Sequence, residues 1–307
     1  MNSIAKYSFL YLLVNVACNN IEFPTATEYD SNEITFTTKA AKTRGFGVDE
    51  VTSANLATFN VIATVGSTDQ SLVWNDGSFS GTPGGNYTGG KFWPSEEVSW
   101  NFYASNATMT FNTSGTTIVV ESADTDIVAA KKEDAAYKTI NNLTFEHVLC
   151  QVGTVEMKAP AGYTVSNLKV SILPIYSGTY NIKTNRWTRG SASAAEFIFG
   201  TAASGLNITT AGGTVKSSDN DLWLVPGSYT ITATYTINKG DFSKEYSKNA
   251  VITLIQGQNN NLILPDTDGD GQNDDSNIPD PSNDVKDILF SIEVTPWEEN
   301  DVPVNFS

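Results

Sequence analysis

The chain has 307 residues, of which 40% are hydrophobic and 17% are charged, a length that suggests one or two domains with a sizeable core. Its formal net charge of -16 argues against a nucleic-acid partner, because phosphate binding needs clustered lysine and arginine. The acidity is local, since residues 266–301 hold nine Asp and three Glu against one Lys.

The first 18 residues resemble an export signal. Lys6 precedes an apolar run from Tyr7 to Ala17, which is too short to span a bilayer and is typical of a signal peptide. The run ends at Cys18 in a pattern similar to the lipobox of bacterial lipoproteins, whose cysteine is diacylated and becomes the mature N-terminus. Asn15 departs from that pattern, so a plain secretory signal is the alternative. Residues 19–32 are polar and are predicted to be a tether.

From residue 33 onward, short alternating segments recur between turn signals, which is typical of β-sandwiches. Ile34 and Phe36 share one face of the first segment. The Gly-rich residues 77–90 are predicted to be a long loop, and the charged residues 130–142 a linker. Residues 33–140 are therefore predicted to form an N-terminal β-sandwich domain. Its predicted strands are 33–39, 57–65, 70–74, 97–104, 107–111 and 116–121.

A second set of strand patterns follows, and helical patterns are nearly absent. Residues 141–307 are predicted to be a C-terminal β-sandwich domain with an acidic insertion at 265–287. The predicted fold class is all-β, with two tandem sandwich domains. The predicted strands of the second domain are 143–157, 166–173, 195–199, 221–225, 228–237, 250–255, 262–264 and 288–295.

Few residues of the sequence are suited to catalysis. His147 is the only histidine, and strand alternation places it on the opposite face from Cys150. We interpret His147 as a core histidine and Cys150 as a small buried apolar residue. Trp100 and Phe102 alternate as core residues do, whereas Trp93, beside Pro94, is expected to be exposed. The prediction is that the protein is not an enzyme.

The stretch DTDGDGQND contains the sharpest chemical motif. Asp266, Asp268 and Asp270 stand at alternate positions, followed by Gly271 and by Asp274 at the ninth position. Such spacing lets carboxylates converge on Ca²⁺ around a sharp glycine turn, and it resembles EF-hand and thrombospondin type 3 loops. Position 12 is Asn277 instead of glutamate, which departs from the EF-hand. A solvated acidic loop is the alternative.

Six segments of the chain are informative when taken together, namely residues 92–104 (FWPSEEVSWNFYA), 126–130 (DIVAA), 143–152 (LTFEHVLCQV), 222–235 (LWLVPGSYTITATY), 255–264 (IQGQNNNLIL) and 292–299 (IEVTPWEE). In these segments and their order the chain resembles the fimbrillin family of lipoprotein pilins from Bacteroidales type V pili. The resemblance implies transthyretin-like sandwiches, export as a lipoprotein to the outer membrane, and fibre assembly with other pilin subunits by donor-strand exchange.

In that scheme, an arginine-specific protease removes an N-terminal strand, and a neighbouring subunit's strand takes its place. Residues 33–39, with Ile34 and Phe36 as inward side chains, are the expected displaced strand. Arg44 follows as the expected cleavage site, although a solvated loop arginine is the alternative. The expected donor strand carries Val302, Val304 and Phe306, with the reservation that Pro303 removes one ladder hydrogen bond.

The predicted function is a structural or adhesive pilus subunit at the cell surface, anchored by lipid before maturation. The alternative is a monomeric surface lipoprotein that binds a glycan or host ligand and never polymerises. The position of the subunit in a fibre (stalk, anchor or tip) stays open at this point.

Overall fold

The computed structural model describes residues 32–40, 55–66, 71–95, 97–112, 115–159, 162–199, 206–217, 222–264 and 291–296. Within these ranges the chain consists of strands, turns and connecting segments, with no helix. Accordingly, this part of the chain has no long apolar helix of the kind that crosses a membrane. The prediction of an all-β fold is confirmed.

The described residues form 21 strands. The first nine are β1 (Phe36–Ala40), β2 (Thr58–Val65), β3 (Ser71–Gly81), β4 (Asn86–Thr88), β5 (Trp100–Ser105), β6 (Met109–Asn112), β7 (Gly115–Val120), β8 (Val128–Ala135) and β9 (Asn141–His147). The others are β10 (Cys150–Lys158), β11 (Thr164–Ile172), β12 (Gly178–Asn181), β13 (Arg186–Arg189), β14 (Phe197–Phe199), β15 (Leu206–Ile208), β16 (Thr214–Lys216), β17 (Leu222–Leu224), β18 (Gly227–Lys239), β19 (Phe242–Leu254), β20 (Gln258–Leu264) and β21 (Ser291–Pro296).

Seven strands form a sheet that closes on itself in the order β1-β4-β3-β2-β5-β8-β9. Neighbours in this sheet are antiparallel, except that β1 and β9 run parallel where the sheet closes. Successive side chains of a strand point to opposite faces, so every second side chain points into the core. In β9, Asn141, Leu143, Phe145 and His147 are buried, and the residues between them are exposed. The sequence pattern of β9 therefore determines which of its side chains enter the core.

Two further sheets pack face to face. One has the order β16-β10-β20-β21, with β17 also paired to β10, and the other has the order β14-β11-β18-β19, with β15 also paired to β11. Their inward side chains form one apolar core, to which β10 contributes Val152 and Val155, and β18 contributes Ile231 and Tyr235. The sandwich-like layering was predicted, while its transthyretin-like type stays a prediction.

A four-stranded sheet, β13-β12-β7-β6, completes the described fold. Side chains of this sheet form an apolar cluster together with side chains of the closed sheet and of the segment around β17. The cluster includes Ile118 of β7, Tyr180 of β12, Tyr103 of β5 and Trp223 of β17. Burial of these large side chains holds the four-stranded sheet against its neighbours.

The Gly-rich prediction of a loop at 77–90 is wrong. β3 continues to Gly81, and Asn86–Thr88 form β4, which pairs with both β3 and β1. Glycine flanks Tyr87 on both sides of this short strand, so the sequence has the composition of a loop. The strand forms nevertheless because Tyr87 is fully buried against the core of the closed sheet.

The interpretation of residues 130–142 as a linker is also wrong. Residues 128–135 form β8, and the next strand, β9, pairs with β8 and β1 of the same closed sheet. β8 lacks alternation because its first three residues are all buried and its charged residues lie at an accessible end. A division of the chain between residues 140 and 141 would separate β9 from both of its partner strands.

Candidate functional site

β1 is the strand that closes the seven-stranded sheet. Two of its residues pair with β4, Phe36 with Tyr87 and Thr37 with Asn86. On its other side all five of its residues pair with β9, from Phe36 opposite Asn141 to Ala40 opposite Phe145. A single five-residue strand therefore satisfies the facing backbone groups of two others. We call the space that it fills, between β4 and β9, the β1 groove.

The residues just before β1 extend this pairing. The amide of Ile34 donates to the carbonyl of Lys91 at 2.8 Å, and the amide of Trp93 donates to the carbonyl of Asn32 at 2.8 Å. These two hydrogen bonds flank a bridge between Glu33 and Phe92. The sequence predicted a displaced strand at residues 33–39. In the structure the regular strand begins at residue 36, and residues 32–34, which we call the approach to β1, are held by these two hydrogen bonds and this bridge.

Ile34 and Phe36 point inward, as predicted, and both are fully buried. The ring of Phe36 contacts the rings of Phe79 and Phe102 edge-on, each at a centroid distance of 4.9 Å, and lies 6.3 Å from Phe59. Each aromatic pair of this geometry contributes about 0.5–1.5 kcal/mol beyond the burial of its apolar surface. Phe36 is therefore the main apolar contact that β1 makes in the β1 groove.

Thr38 is the next inward-facing residue after Phe36, and its contact is polar. Its hydroxyl donates to the phenol oxygen of Tyr87 at 3.4 Å, and the Tyr87 hydroxyl donates to the carbonyl of Leu56 at 2.5 Å. On the outward face, the hydroxyl of Thr37 donates to the side-chain oxygen of Asn142. The segment that includes the approach and β1 thus buries an apolar, an aromatic and a hydroxyl side chain at alternate positions, Ile34, Phe36 and Thr38.

Most other residues predicted as sites lie outside the described residues. These are the lipidation residue Cys18, the cleavage residue Arg44, the metal-binding residues Asp266, Asp268, Asp270 and Asp274, and the donor-strand residues Val302, Val304 and Phe306. Within the described ranges no cluster of three or more His, Cys, Asp or Glu side chains is placed to hold a metal ion.

His147 is a core residue, as predicted, and it has a partner that the sequence did not suggest. Its Nδ1 atom lies 2.9 and 2.7 Å from the two carboxylate oxygens of Asp126. Cys150 is also buried as predicted, and its thiol donates to the carbonyl of Leu224 at 3.3 Å. Burial raises the pKa of the Cys150 thiol, which keeps it protonated and makes it a poor nucleophile.

The expectation that Trp93 is exposed is wrong. Only 5% of Trp93 is accessible, and its ring lies 5.3 Å from Trp100 and 5.5 Å from Tyr137. Trp100 and Phe102 are core residues, as predicted. The neighbouring Pro94 accounts for the error, because proline suggested a surface turn. The Pro94 carbonyl accepts a hydrogen bond from the hydroxyl of Tyr137, which packs against the core.

Sequence reasoning missed Tyr87 and Asp126. An isolated aromatic residue between glycine pairs was the one available signal for Tyr87, since exposed turns rarely need a large ring. Asp126 begins one of the segments shared with the fimbrillin family, but nothing in the sequence indicated its contact with His147, which is 21 residues away. Both residues act through contacts that only the folded sheet creates.

The family model described as fimbrillin-like matches residues 36–297. The sequence has no match among curated proteins. Among solved structures, the chain is similar to a candidate cell adhesion protein from Bacteroides uniformis, with 13% identity and a TM-score of 0.46 over 87% of this chain and 97% of that chain.

Two fimbrial proteins are also similar to this chain. The fimbrial anchor protein Mfa2 from Porphyromonas gingivalis has 13% identity and a TM-score of 0.34, over 86% of this chain and 98% of that chain. A fimbrial assembly protein from Parabacteroides distasonis has 11% identity and a TM-score of 0.36, over 78% of this chain and 93% of that chain.

Replacing Phe36 by alanine is expected to lower the free energy of unfolding by about 3–4 kcal/mol, because it removes a fully buried ring and leaves a cavity. Urea unfolding, monitored by tryptophan fluorescence, measures the change. Phe92→Ala is the matched control. Phe92 is 53% exposed beside the approach to β1, so its loss is expected to be below about 1 kcal/mol. Equal losses in the two variants would show that β1 does not depend on Phe36.

Proposed function

Because this chain belongs to the fimbrillin-like family, we propose that it is a structural or adhesive subunit of a cell-surface pilus, without enzymatic activity. Other pilin subunits are its proposed partners, and assembly proceeds by exchange of a strand between subunits. The family match over residues 36–297 supports the pilus role. The observation that carries strand exchange is the position of β1, which closes its sheet alone.

Removing β1 would create a strong acceptor for another strand. The backbone of β4 and β9 would lose its hydrogen-bond partners along the β1 groove, and the rings of Phe79 and Phe102 would lose Phe36. An edge that is both unpaired and apolar favours pairing with another chain. In such β-augmentation, main-chain bonds supply affinity and the alternate side chains supply specificity.

Cleavage after Arg44 is the proposed trigger. Arg44 follows β1 in the chain, so a cut there separates the strand from the rest of the protein without cutting the strand itself. β1 would then stay bound only by non-covalent contacts. Its longer ladder is the parallel one with β9, and parallel pairing is slightly less stable per residue than antiparallel pairing.

The C-terminal residues provide the proposed donor strand. Val304-Asn305-Phe306 repeats the pattern of Ile34-Thr35-Phe36, with an aliphatic and then an aromatic inward residue. In this register Phe306 takes the place of Phe36, and Pro303 that of Glu33. The two backbone hydrogen bonds at Glu33 are made by the residues on either side of it, Ile34 and Asn32. Proline in the place of Glu33 would therefore remove neither of these two bonds, which supports Pro303 as part of the proposed donor strand.

A solitary surface protein that binds a glycan or host ligand is the second candidate. One observation favours it, because the intact chain already fills its own β1 groove and needs no partner to close the sheet. A binder of this kind would keep β1 permanently, whereas a pilin would lose it.

An arginine-specific protease is expected to cut the folded protein first after Arg44 and to convert the monomer into higher oligomers on gel filtration. The only other arginines, Arg186 and Arg189, belong to β13. Arg189 is further held by a hydrogen bond to the carbonyl of Ser228 at 3.0 Å and by the ring of Tyr229 at 4.5 Å. Proteases prefer segments that are not held in this way.

Three variants separate the steps of this reaction. Arg44→Ala should resist the cut and stay monomeric, whereas Arg186→Ala should behave as wild type. Phe306→Ala should be cut normally but assemble at least tenfold more slowly, since it loses the residue that replaces Phe36. Cleaved wild-type protein that stays monomeric at high concentration would favour the solitary binder over the pilin.

Cys18 is the proposed lipid attachment site, which would hold the protein at the outer membrane before maturation. Mass spectrometry of the protein from membranes of the native host is expected to identify an acylated Cys18 as the first residue. An unmodified N-terminus created before or after Cys18 in uncut protein would contradict lipidation and leave a plain secretory signal.

Calcium is the proposed ligand of Asp266, Asp268, Asp270 and Asp274. Calorimetric titration is expected to give a dissociation constant on the order of 0.1–1 mM, as in extracellular calcium modules. Binding should disappear in Asp268→Ala/Asp270→Ala. It should persist in Asp280→Ala/Asp284→Ala, which removes the same charge from the same acidic segment. If the two double variants bound Ca²⁺ equally, the motif would be a solvated acidic loop and not a specific calcium site.

A further inference from the structure

We propose that the buried pair His147–Asp126 holds β9 in place when β1 leaves, so that β9 can accept an incoming strand in the correct register. This inference rests on the proposed strand exchange and assigns a positioning role to two residues that lie outside the β1 groove. It concerns the state of the subunit between the loss of one strand and the arrival of the next.

The backbone pairing of β9 is unequal on its two sides. On the side of β1, residues 141–145 all have a paired neighbour. On the side of β8, the ladder has two residue pairs, Val128 with His147 and Ala129 with Glu146. Loss of β1 therefore removes the ladder along most of β9 and leaves pairing at its C-terminal end.

The His147–Asp126 pair lies at that remaining end. The side chains of His147 and Asp126 are 2% and 0% exposed, and Nδ1 of the ring contacts both carboxylate oxygens. Because a carboxylate only accepts hydrogen bonds, the ring nitrogen is the donor. The next amide, that of Val148, donates to the carbonyl of Ile127 at 2.9 Å. A charge-assisted hydrogen bond in a buried setting is among the stronger polar contacts available to the fold.

Asp126 is itself hydrogen-bonded to the end of β5, a strand that pairs with β2 and β8 and not with β1. The side chain of Asn106, just after β5, donates to the carbonyl of Asp126 at 3.0 Å and accepts from the amide of Val128 at 2.9 Å. The hydroxyl of Ser105, the last residue of β5, donates to the carbonyl of Val128 at 2.8 Å. β5 pairs with β2 over six residues. His147 is thus connected to the part of the sheet that stays closed.

The position of His147 determines the register of the groove. His147, Phe145 and Leu143 share the inward face of β9. A slip of one residue would turn that face outward and present the exposed residues to the incoming strand. The buried polar pair opposes such a slip, because moving His147 would leave the carboxylate of Asp126 buried without this donor.

The test measures uptake of a fluorescent peptide of residues 32–40 by full-length protein that has been cut after Arg44. Asp126→Ala is expected to bind the peptide at least tenfold more weakly than wild type. Asp126→Asn, whose amide oxygen still accepts from Nδ1, should lie within about threefold of wild type. Asp124→Ala is the matched control, since Asp124 is an exposed aspartate two residues earlier.

Hydrogen exchange in the same cut proteins provides the second measurement. Amides of residues 143–147 are expected to exchange at least tenfold faster in Asp126→Ala than in wild type, and near wild-type rates in Asp126→Asn. His147→Phe keeps a ring of similar size, removes the donor, and replaces Asp126→Ala if that variant fails to fold. Its expected result is the same loss.

The outcomes separate the two proposals. If cut wild-type protein takes up no peptide, strand exchange is overturned, and the exchange rates of residues 143–147 still decide the role of the pair. If peptide binds wild type and Asp126→Ala equally, or if the exchange rates are equal, the His147–Asp126 pair does not position β9 and the inference is overturned.

Discussion

Backbone hydrogen bonding along β4 and β9 depends on one short strand, β1, which is the constraint around which the closed sheet is organised. Without β1 the sheet would have two edges facing an apolar groove. With it, the chain is closed by a segment that enters from the N-terminal side and makes its main apolar contact through Phe36. The two sheets that pack face to face share their own core and do not include β1.

A strand in this position can complete the sheet without being permanently part of the chain. Its backbone contacts do not require a particular sequence, and its inward contacts require little more than the alternate side chains of Ile34, Phe36 and Thr38. Any extended segment with a similar pattern can satisfy the same groups. The proposed pilin function uses this property, because a strand from another copy that takes the place of β1 joins two subunits.

Sequence reasoning predicted those parts of the fold that depend on local periodicity. Ile34 and Phe36 alternate with polar neighbours, and their burial was foreseen, as was that of His147. Sequence reasoning failed to predict strands in which buried and exposed residues do not alternate, as in β8, and strands with the composition of a loop, as in β4.

The contacts that were not foreseen join residues that are far apart in sequence. Phe36 pairs with Asn141, more than 100 residues later, and Asp126 meets His147 only because the segment before β8 runs beside the end of β9. No periodicity within one segment encodes such contacts, since each segment is compatible with several partners until the sheet closes. The β1 groove therefore could be inferred in outline from the family pattern, but its walls and the pair that holds β9 could not.

A disulfide cross-link between subunits tests strand exchange most directly. If Val304-Asn305-Phe306 replaces Ile34-Thr35-Phe36, then Ser307 takes the place of Thr37, which lies opposite Asn86. Protein with Ser307→Cys and Asn86→Cys should form a ladder of disulfide-linked multimers after the cut at Arg44, because residues directly opposite in antiparallel strands are within bridging distance. The cut removes Cys18, and Cys150 is buried. Single-cysteine variants should give no ladder. Cut double-cysteine protein that gives only monomer under oxidising, non-reducing conditions would contradict the account.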